Sequence, residues 1–234
     1  MTRGRNVVRL GIMVLTASVL ALLTACASGF REPGLSTLVS EQKEQVQAAR
    51  LERRAARFRW SQQVRLEGVL TRLLLGMPDP PHVTVEVVGC DAVNAYVGEE
   101  RIKVCLGTLR FVKSDDELAV VVGHELGHLP SAADHGLLGG TQKEAEREAD
   151  IRGLFYADRA GYDITVGTRV FERMAVELSS DLGDAKAGGH PSHAERILLA
   201  EKIALLLDGR AVERDPEVTL TRLYRLMGSF DDLP

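Results

Sequence analysis

The sequence has no excess of basic residues. Its 234 residues include 29 Lys and Arg against 33 Asp and Glu, so its formal net charge at pH 7 is -4. Because proteins that bind nucleic acids present a basic patch or stripe, this balance argues against a nucleic-acid partner. Internal repeats and low-complexity tracts are not evident either. A chain of this length can bury one substantial hydrophobic core, and we expect one main folded domain over residues 37–234.

Long hydrophobic runs are scarce, and the longest lies at the N-terminus. A basic stretch precedes the apolar run Leu10 to Ala25, which is too short for a comfortable transmembrane helix. The run ends in Leu-Thr-Ala followed by Cys26, which resembles the cleavage box of a bacterial lipoprotein. We therefore predict a signal peptide over residues 1–25, then a lipidated Cys26 and a tether over residues 26–36. A plain hydrophobic N-terminal anchor is the alternative.

This N-terminus also predicts where the protein works. Removing residues 1–25 takes away three Arg and no acidic residue, which changes the formal charge from -4 to -7. The residue after Cys26 is Ala27 and not the Asp that is associated with retention in the inner membrane. We expect a periplasmic protein that is lipid-anchored to the inner leaflet of the outer membrane. Attachment to the inner membrane is the less favoured alternative.

Cysteine is scarce as well. Besides Cys26, the chain has only Cys90 and Cys105, and an oxidising periplasm would permit a disulfide between them. Alternating apolar residues over 83–88 and 101–106 predict two half-buried strands. If these strands paired as a simple hairpin, Cys105 would lie beyond the partner of Cys90 by about 13 Å, at about 3.3 Å per residue. Since a bridge needs Cα atoms within about 7 Å, the sequence leaves the disulfide open, and neither thiol is assigned a catalytic role.

Residues His124 to His128 have the pattern H-E-x-x-H. On a helix, two histidines four residues apart project from one face, so both imidazoles can reach one metal ion. Zinc would lower the pKa of its bound water from about 15.7 to about 7, and Glu125 lies close enough to take a proton from that water. The pattern predicts a catalytic zinc site, although the same five residues also occur by chance in ordinary helices.

The residues around this pattern predict a buried helix. Ser114 and Glu117 form a capping-box pattern, in which Ser114 accepts from the amide three residues on and Glu117 reaches back. An apolar run over 118–122 follows, and Pro130 ends the helix just after the second histidine. The pattern should therefore lie at the C-terminal end of a buried helix, where a cleft could open. Further helices are expected at 38–76 as one helix or two, and at 141–161, 165–178, 192–207 and 218–227.

A catalytic zinc needs three protein ligands and one open position. Glu146 and Asp150 lie four residues apart on one predicted helix, so they share a face. Glu146 can bind the metal while Asp150 accepts the outer N–H of a ligand histidine. Two alternatives are open. Glu146 could belong to a solvated helix face with Glu144 and Glu148, or His135 could be the third ligand.

Four short motifs follow one another along the chain: H-E-L-G-H at 124–128, E-R-E-A-D at 146–150, R-A-G-Y-D at 159–163, and H-P at 190–191 followed by R-I at 196–197. In this order they resemble the gluzincin metallopeptidases typified by HtpX and the CAAX prenyl proteases, and in particular the soluble periplasmic members. The resemblance covers residues 64–207. It implies an α+β fold: a mostly helical zincin-like metallopeptidase domain with a small β-sheet beside the active-site helix.

The resemblance also implies roles for individual residues. One zinc ion per chain would be held by three ligands, which are His124, His128 and Glu146. Asp150 and Arg196 would lie beside these ligands, with Arg196 either pairing with a site carboxylate or facing solvent. His190 would act as a catalytic residue that swings towards the zinc or hydrogen-bonds a reaction intermediate. A plain helix boundary before Pro191 explains His190 equally simply.

Together these residues predict a zinc-dependent metalloendopeptidase of the bacterial envelope that hydrolyses peptide bonds through a metal-activated water, with Glu125 as general base. The resemblance implies a role in protein quality control, with unfolded or misassembled envelope proteins as substrates. An extended peptide is expected to add to the edge of the sheet. The alternative is an envelope assembly factor or chaperone-like binding lipoprotein with weak or suppressed peptidase activity, in which His190 occupies the open metal position.

Overall fold

The computed structural model describes residues 35–98, 100–129, 141–178, 192–208 and 216–228. The predicted signal peptide, Cys26, His135 and His190 lie outside these residues. The chain divides into two compact units, Met1–Ala55 and Ala56–Pro234. Among the described residues, no helix combines the length and the apolar character that a membrane span requires.

The longest helix, α1, covers Leu35–Leu75 and contains 41 residues. It is one continuous helix, which resolves the choice between one helix and two. Up to Ala55, in the first unit, the described side chains are exposed or partly exposed. In the second unit, apolar residues spaced three and four apart face the core, as expected for one stripe of a helix. They are Leu66, Val69, Leu70 and Leu73.

A small sheet follows α1. Its strands are β1 (Thr84–Val88), β2 (Ala95–Gly98) and β3 (Arg101–Cys105), in the order β1-β3-β2. β1 runs parallel to β3, and β2 runs antiparallel to β3. The two predicted strands are confirmed, except that Leu106 begins a helix instead of ending β3. β2 was not predicted as a strand, because four residues carry too short an alternation to indicate one.

Cys90 and Cys105 form a disulfide, with their Cα atoms 5.0 Å apart. The hairpin on which the 13 Å offset depended is therefore wrong, since β1 and β3 are parallel. Parallel pairing places Val88 opposite Cys105, and Cys90 follows Val88 by two residues. The bridge consequently joins the end of β3 to the segment between β1 and β2.

The remaining described helices follow the sheet. They are α2 (Leu106–Phe111), α3 (Asp115–Gly127), α4 (Gln142–Arg159), α5 (Ile164–Gly167), α6 (Arg169–Glu177), α7 (His193–Asp208) and α8 (Pro216–Gly228). α3 is the central helix: it packs against α4, α5 and the β2 and β3 strands, and most of its side chains are buried. A mostly helical domain with a small sheet beside α3 confirms the predicted α+β fold.

The helices before and after the H-E-x-x-H segment's end, α3 and α4, both begin where the sequence predicts. Ser114 accepts a hydrogen bond from the Glu117 amide, and Thr141 forms a complete capping box with Glu144. The Glu117 carboxylate differs from the prediction. It accepts from the Lys113 amide at 2.6 Å and forms an ion pair with Arg173 of α6. The Lys113 amide and a partner from another helix thus take the place of the Ser114 amide that the capping-box pattern indicated.

Candidate metal centre

Helices α3 and α4 cross unusually closely because small residues face each other. A Cβ atom added to Gly127 would lie 2.4 Å from the Ala149 carbonyl oxygen, and one added to Gly123 would lie 2.7 Å from that of Gly153. Side chains larger than hydrogen therefore do not fit at Gly123 and Gly127. The close crossing brings the polar residues beside these glycines, His124 and His128 on α3, towards the side chains of α4.

Three side chains, two from α3 and one from α4, converge on one point. His124 Nε2 and His128 Nε2 are 3.1 Å apart, and Glu146 Oε2 lies 3.3 Å from the first and 3.4 Å from the second. Ligand atoms about 2.0–2.1 Å from a tetrahedral metal ion are separated from one another by about 3.3 Å. The three atoms thus have the spacing of one face of a coordination tetrahedron. These residues could hold a metal ion without rearrangement.

Asp150 sets the orientation of the first histidine. Its Oδ1 lies 2.7 Å from His124 Nδ1, on the side of the ring that faces away from the other two ligand atoms. When Nδ1–H donates to this carboxylate, the lone pair of Nε2 points into the site, which is the arrangement that a metal ligand requires. Although burial lowers the pKa of His124, Asp150 and Glu146 raise it to about 9.

Comparisons with known proteins agree with this geometry. Residues 55–136 match the model of Peptidase family M48. The chain is thus similar to this family over that segment. It is also similar to the mitochondrial metalloendopeptidase OMA1 of Arabidopsis thaliana, with 28% identity over 58% of this chain and 35% of that protein. The chain therefore spans about a third of the length of this relative. The resemblance to gluzincin peptidases inferred from the motifs is confirmed.

The M48 match includes His124 and His128 but ends before Glu146. The place of Glu146 in the cluster therefore follows from the geometry. Glu146 is only 7% exposed, and Glu148 is buried beside Arg152 of the same helix. A common solvated face for Glu144, Glu146 and Glu148 is thus wrong, since Glu146 and Glu148 are buried and only Glu144 is partly exposed.

Arg196 pairs with the Asp150 carboxylate, which is one of the two alternatives that the sequence left open for it. Its Nε donates to Asp150 Oδ2 at 2.9 Å, and its guanidinium lies 4.0 Å from the centre of the Phe171 ring. Burial raises the pKa of Asp150, but the opposing effect of Arg196 and His124 is larger, so the pKa falls to about 2. Asp150 is therefore a carboxylate held between the arginine of α7 and the histidine of α3.

Glu125 is the remaining predicted residue that the structure describes. It is buried on α3, next to His124, and it is not one of the three converging residues. Sequence reasoning missed Arg152, which contacts the end of α3, and Tyr224, which contacts Arg152. Glu148 and Arg152 are four residues apart on α4, and that spacing is a signal for a helical ion pair. No local pattern indicates that Tyr224, 72 residues further on, joins them.

Proposed function

We propose that this protein is a zinc metalloendopeptidase of peptidase family M48. The observation that carries the proposal is the convergence of two imidazole nitrogens and one carboxylate oxygen at 3.1–3.4 Å. Two histidines and a glutamate are a known ligand set for catalytic zinc, in which the fourth position is open to water or substrate. The similarity to a metalloendopeptidase supports the same activity.

Each residue of the site has a role in this reaction. His124, His128 and Glu146 hold the ion, and Asp150 keeps His124 in the tautomer that can bind it. When bound, zinc acts as a Lewis acid and lowers the pKa of water from about 15.7 to about 7. Glu125, adjacent to His124 on α3, takes the proton from the attacking water and then passes it to the leaving amine.

The substrate would be an extended peptide added to the sheet at β2. The order β1-β3-β2 makes β1 and β2 the two edge strands. The outer edge of β1 is already occupied by the side-chain amide of Gln63, which donates to Val85 O at 3.0 Å and accepts from Val87 N at 2.9 Å. β2 instead lies next to α3, the helix that carries both histidines. Backbone hydrogen bonds to β2 would bind peptides with little dependence on their sequence.

The setting is part of the proposal. The N-terminal sequence supports export and lipidation at Cys26, so the protein would act on unfolded or misassembled proteins of the bacterial envelope. Its site would face the periplasm from the outer membrane.

The test is a comparison of Glu125→Gln with wild type, using the purified full-length chain. We expect about one zinc per chain in both proteins by metal analysis, and a fall of about 10²–10⁴-fold in casein cleavage for the variant. Glu172→Gln is the matched control, because Glu172 is exposed on α6. It should leave both readouts unchanged.

Two outcomes would overturn the proposal. Wild-type protein without zinc would exclude the metal site, and a zinc-loaded Glu125→Gln variant with full activity would exclude the assigned base. If Glu125→Gln lost peptidase activity but maintained envelope integrity as well as wild type, the physiological function would be binding.

A further inference from the structure

Arg152 forms a buried cluster on the side of α4 that faces the end of α3. This residue is only 3% exposed. Its Nε donates to the Tyr224 hydroxyl of α8 at 2.7 Å, and its guanidinium forms an ion pair with Glu148 one turn earlier on α4. Nη1 donates to the Gly127 carbonyl oxygen at 3.4 Å. One side chain of α4 thus contacts α3, α8 and an earlier turn of its own helix.

The contact with Gly127 meets a requirement of the active-site helix. Gly127 is the last residue of α3, and the last four carbonyl groups of a helix have no partner within it. Gly127 is buried, so water does not readily provide that partner. A cation near the C-terminus of a helix also interacts favourably with the helix dipole. Arg152 therefore acts as a C-terminal cap from a neighbouring helix, immediately before the ligand His128.

Glu148 and Tyr224 hold Arg152 in this position. A buried guanidinium is stable only when it is paired, and Glu148 supplies the opposite charge. Tyr224 is buried, and burial raises the pKa of its hydroxyl, so the phenol is neutral and accepts from Nε. Without either partner, the guanidinium would lose a fixed orientation relative to Gly127.

We infer that Arg152 is a positioning residue for the metal centre. Through its contact with Arg152, Tyr224 would connect helix α8 to that centre. The inference rests on the proposed zinc site. Arg152 would hold the C-terminal turn of α3, and with it His128, at the distance from His124 and Glu146 that the metal requires.

The test compares two variants with two matched controls in the full-length protein. Arg152→Met removes the guanidinium, and Tyr224→Phe removes only the hydroxyl that orients it. Arg159→Met is the control for the first, because Arg159 also lies on α4 and donates to a backbone carbonyl, Gly76 O at 2.9 Å, away from the metal centre. Tyr162→Phe is the control for the second, because Tyr162 is also buried beside an arginine, Arg72.

We expect the zinc dissociation constant, measured by competition with a chelating dye, to rise about 10-fold in Arg152→Met, at the lower end of the range for residues that orient metal ligands. For Tyr224→Phe we expect a smaller rise in the same direction. In the metal-free protein, hydrogen exchange of the His128 and Leu129 amides should accelerate in both variants. These amides donate to Glu125 O and Leu126 O in the last turn of α3. Both controls should match wild type.

A purely structural role predicts a different result. The melting temperature would then fall in Arg152→Met, while zinc affinity and the exchange of the two amides stayed at wild-type values at temperatures where the variant is folded. That result would overturn the inference. If Arg152→Met does not fold, Tyr224→Phe decides, and wild-type values in both readouts would overturn it. Failure of wild-type protein to bind zinc would instead refute the proposed function, whereas the exchange measurement would still show whether Arg152 holds the end of α3.

Discussion

The close crossing of α3 and α4 makes Gly127→Ala a direct test of how the site is assembled. The added Cβ would meet the Ala149 carbonyl oxygen at 2.4 Å and the Ala149 Cα at 2.7 Å. Both are backbone atoms, so no side-chain rotation can relieve the overlap. Restoring ordinary van der Waals separation requires the helices to move apart by roughly 1 Å.

That movement acts directly on the metal ligands. Glu146 Oε2 lies 3.3–3.4 Å from the two imidazole nitrogens, close to the spacing of about 3.3 Å that tetrahedral zinc requires. A further 1 Å would place Glu146 beyond a normal coordination distance. Overpacking of this kind costs about 1–3 kcal/mol. If zinc must restore the close crossing, its affinity should fall by about 5- to 150-fold, since each 1.4 kcal/mol corresponds to a factor of ten.

The assay is zinc affinity by chelator competition, together with thermal unfolding of the metal-free protein. Gly68→Ala is the matched control, because a Cβ at Gly68 in α1 has nothing within 4 Å. It should keep zinc affinity and raise stability slightly, since alanine is the better helix former by up to about 1 kcal/mol. If Gly127→Ala bound zinc within a factor of two of wild type, the packing argument would be refuted.

Three further predictions concern Asp150 beside the site, the start of α3 and the N-terminus. Asp150→Asn should weaken zinc binding by about 10- to 100-fold in the same competition assay, because the amide cannot fix the His124 tautomer as a carboxylate does. Glu117→Gln should lower the free energy of unfolding at pH 7 by about 1–3 kcal/mol in a urea titration. Burial raises the pKa of Glu117, but Arg173 and the Lys113 amide lower it below its ordinary value, so the advantage of wild type should shrink as pH falls below about 4. Cys26→Ala should leave an uncleaved precursor in the inner membrane on fractionation and immunoblotting, and normal processing to a soluble periplasmic form would argue for an ordinary secretory signal.

The sequence by itself determined the parts of this protein that depend on neighbouring residues. Two histidines four residues apart on a helix must share a face. Ser114 and Thr141 begin helices because their hydroxyls accept hydrogen bonds from backbone amides three residues further on. The same periodicity placed Glu146 and Asp150 together on α4. These features follow from backbone geometry over one or two turns, which any helix imposes.

Only the tertiary structure decided how distant segments meet. The disulfide depends on β1 pairing in parallel with β3, an arrangement that the alternation within each strand does not specify. Arg196 reaches Asp150 across 46 residues, and Tyr224 reaches Arg152 across 72. Such contacts depend on which surfaces the folded helices present to one another. The proposed zinc site has both origins: helix periodicity puts two of its residues on α3, and the glycine crossing brings the third from α4.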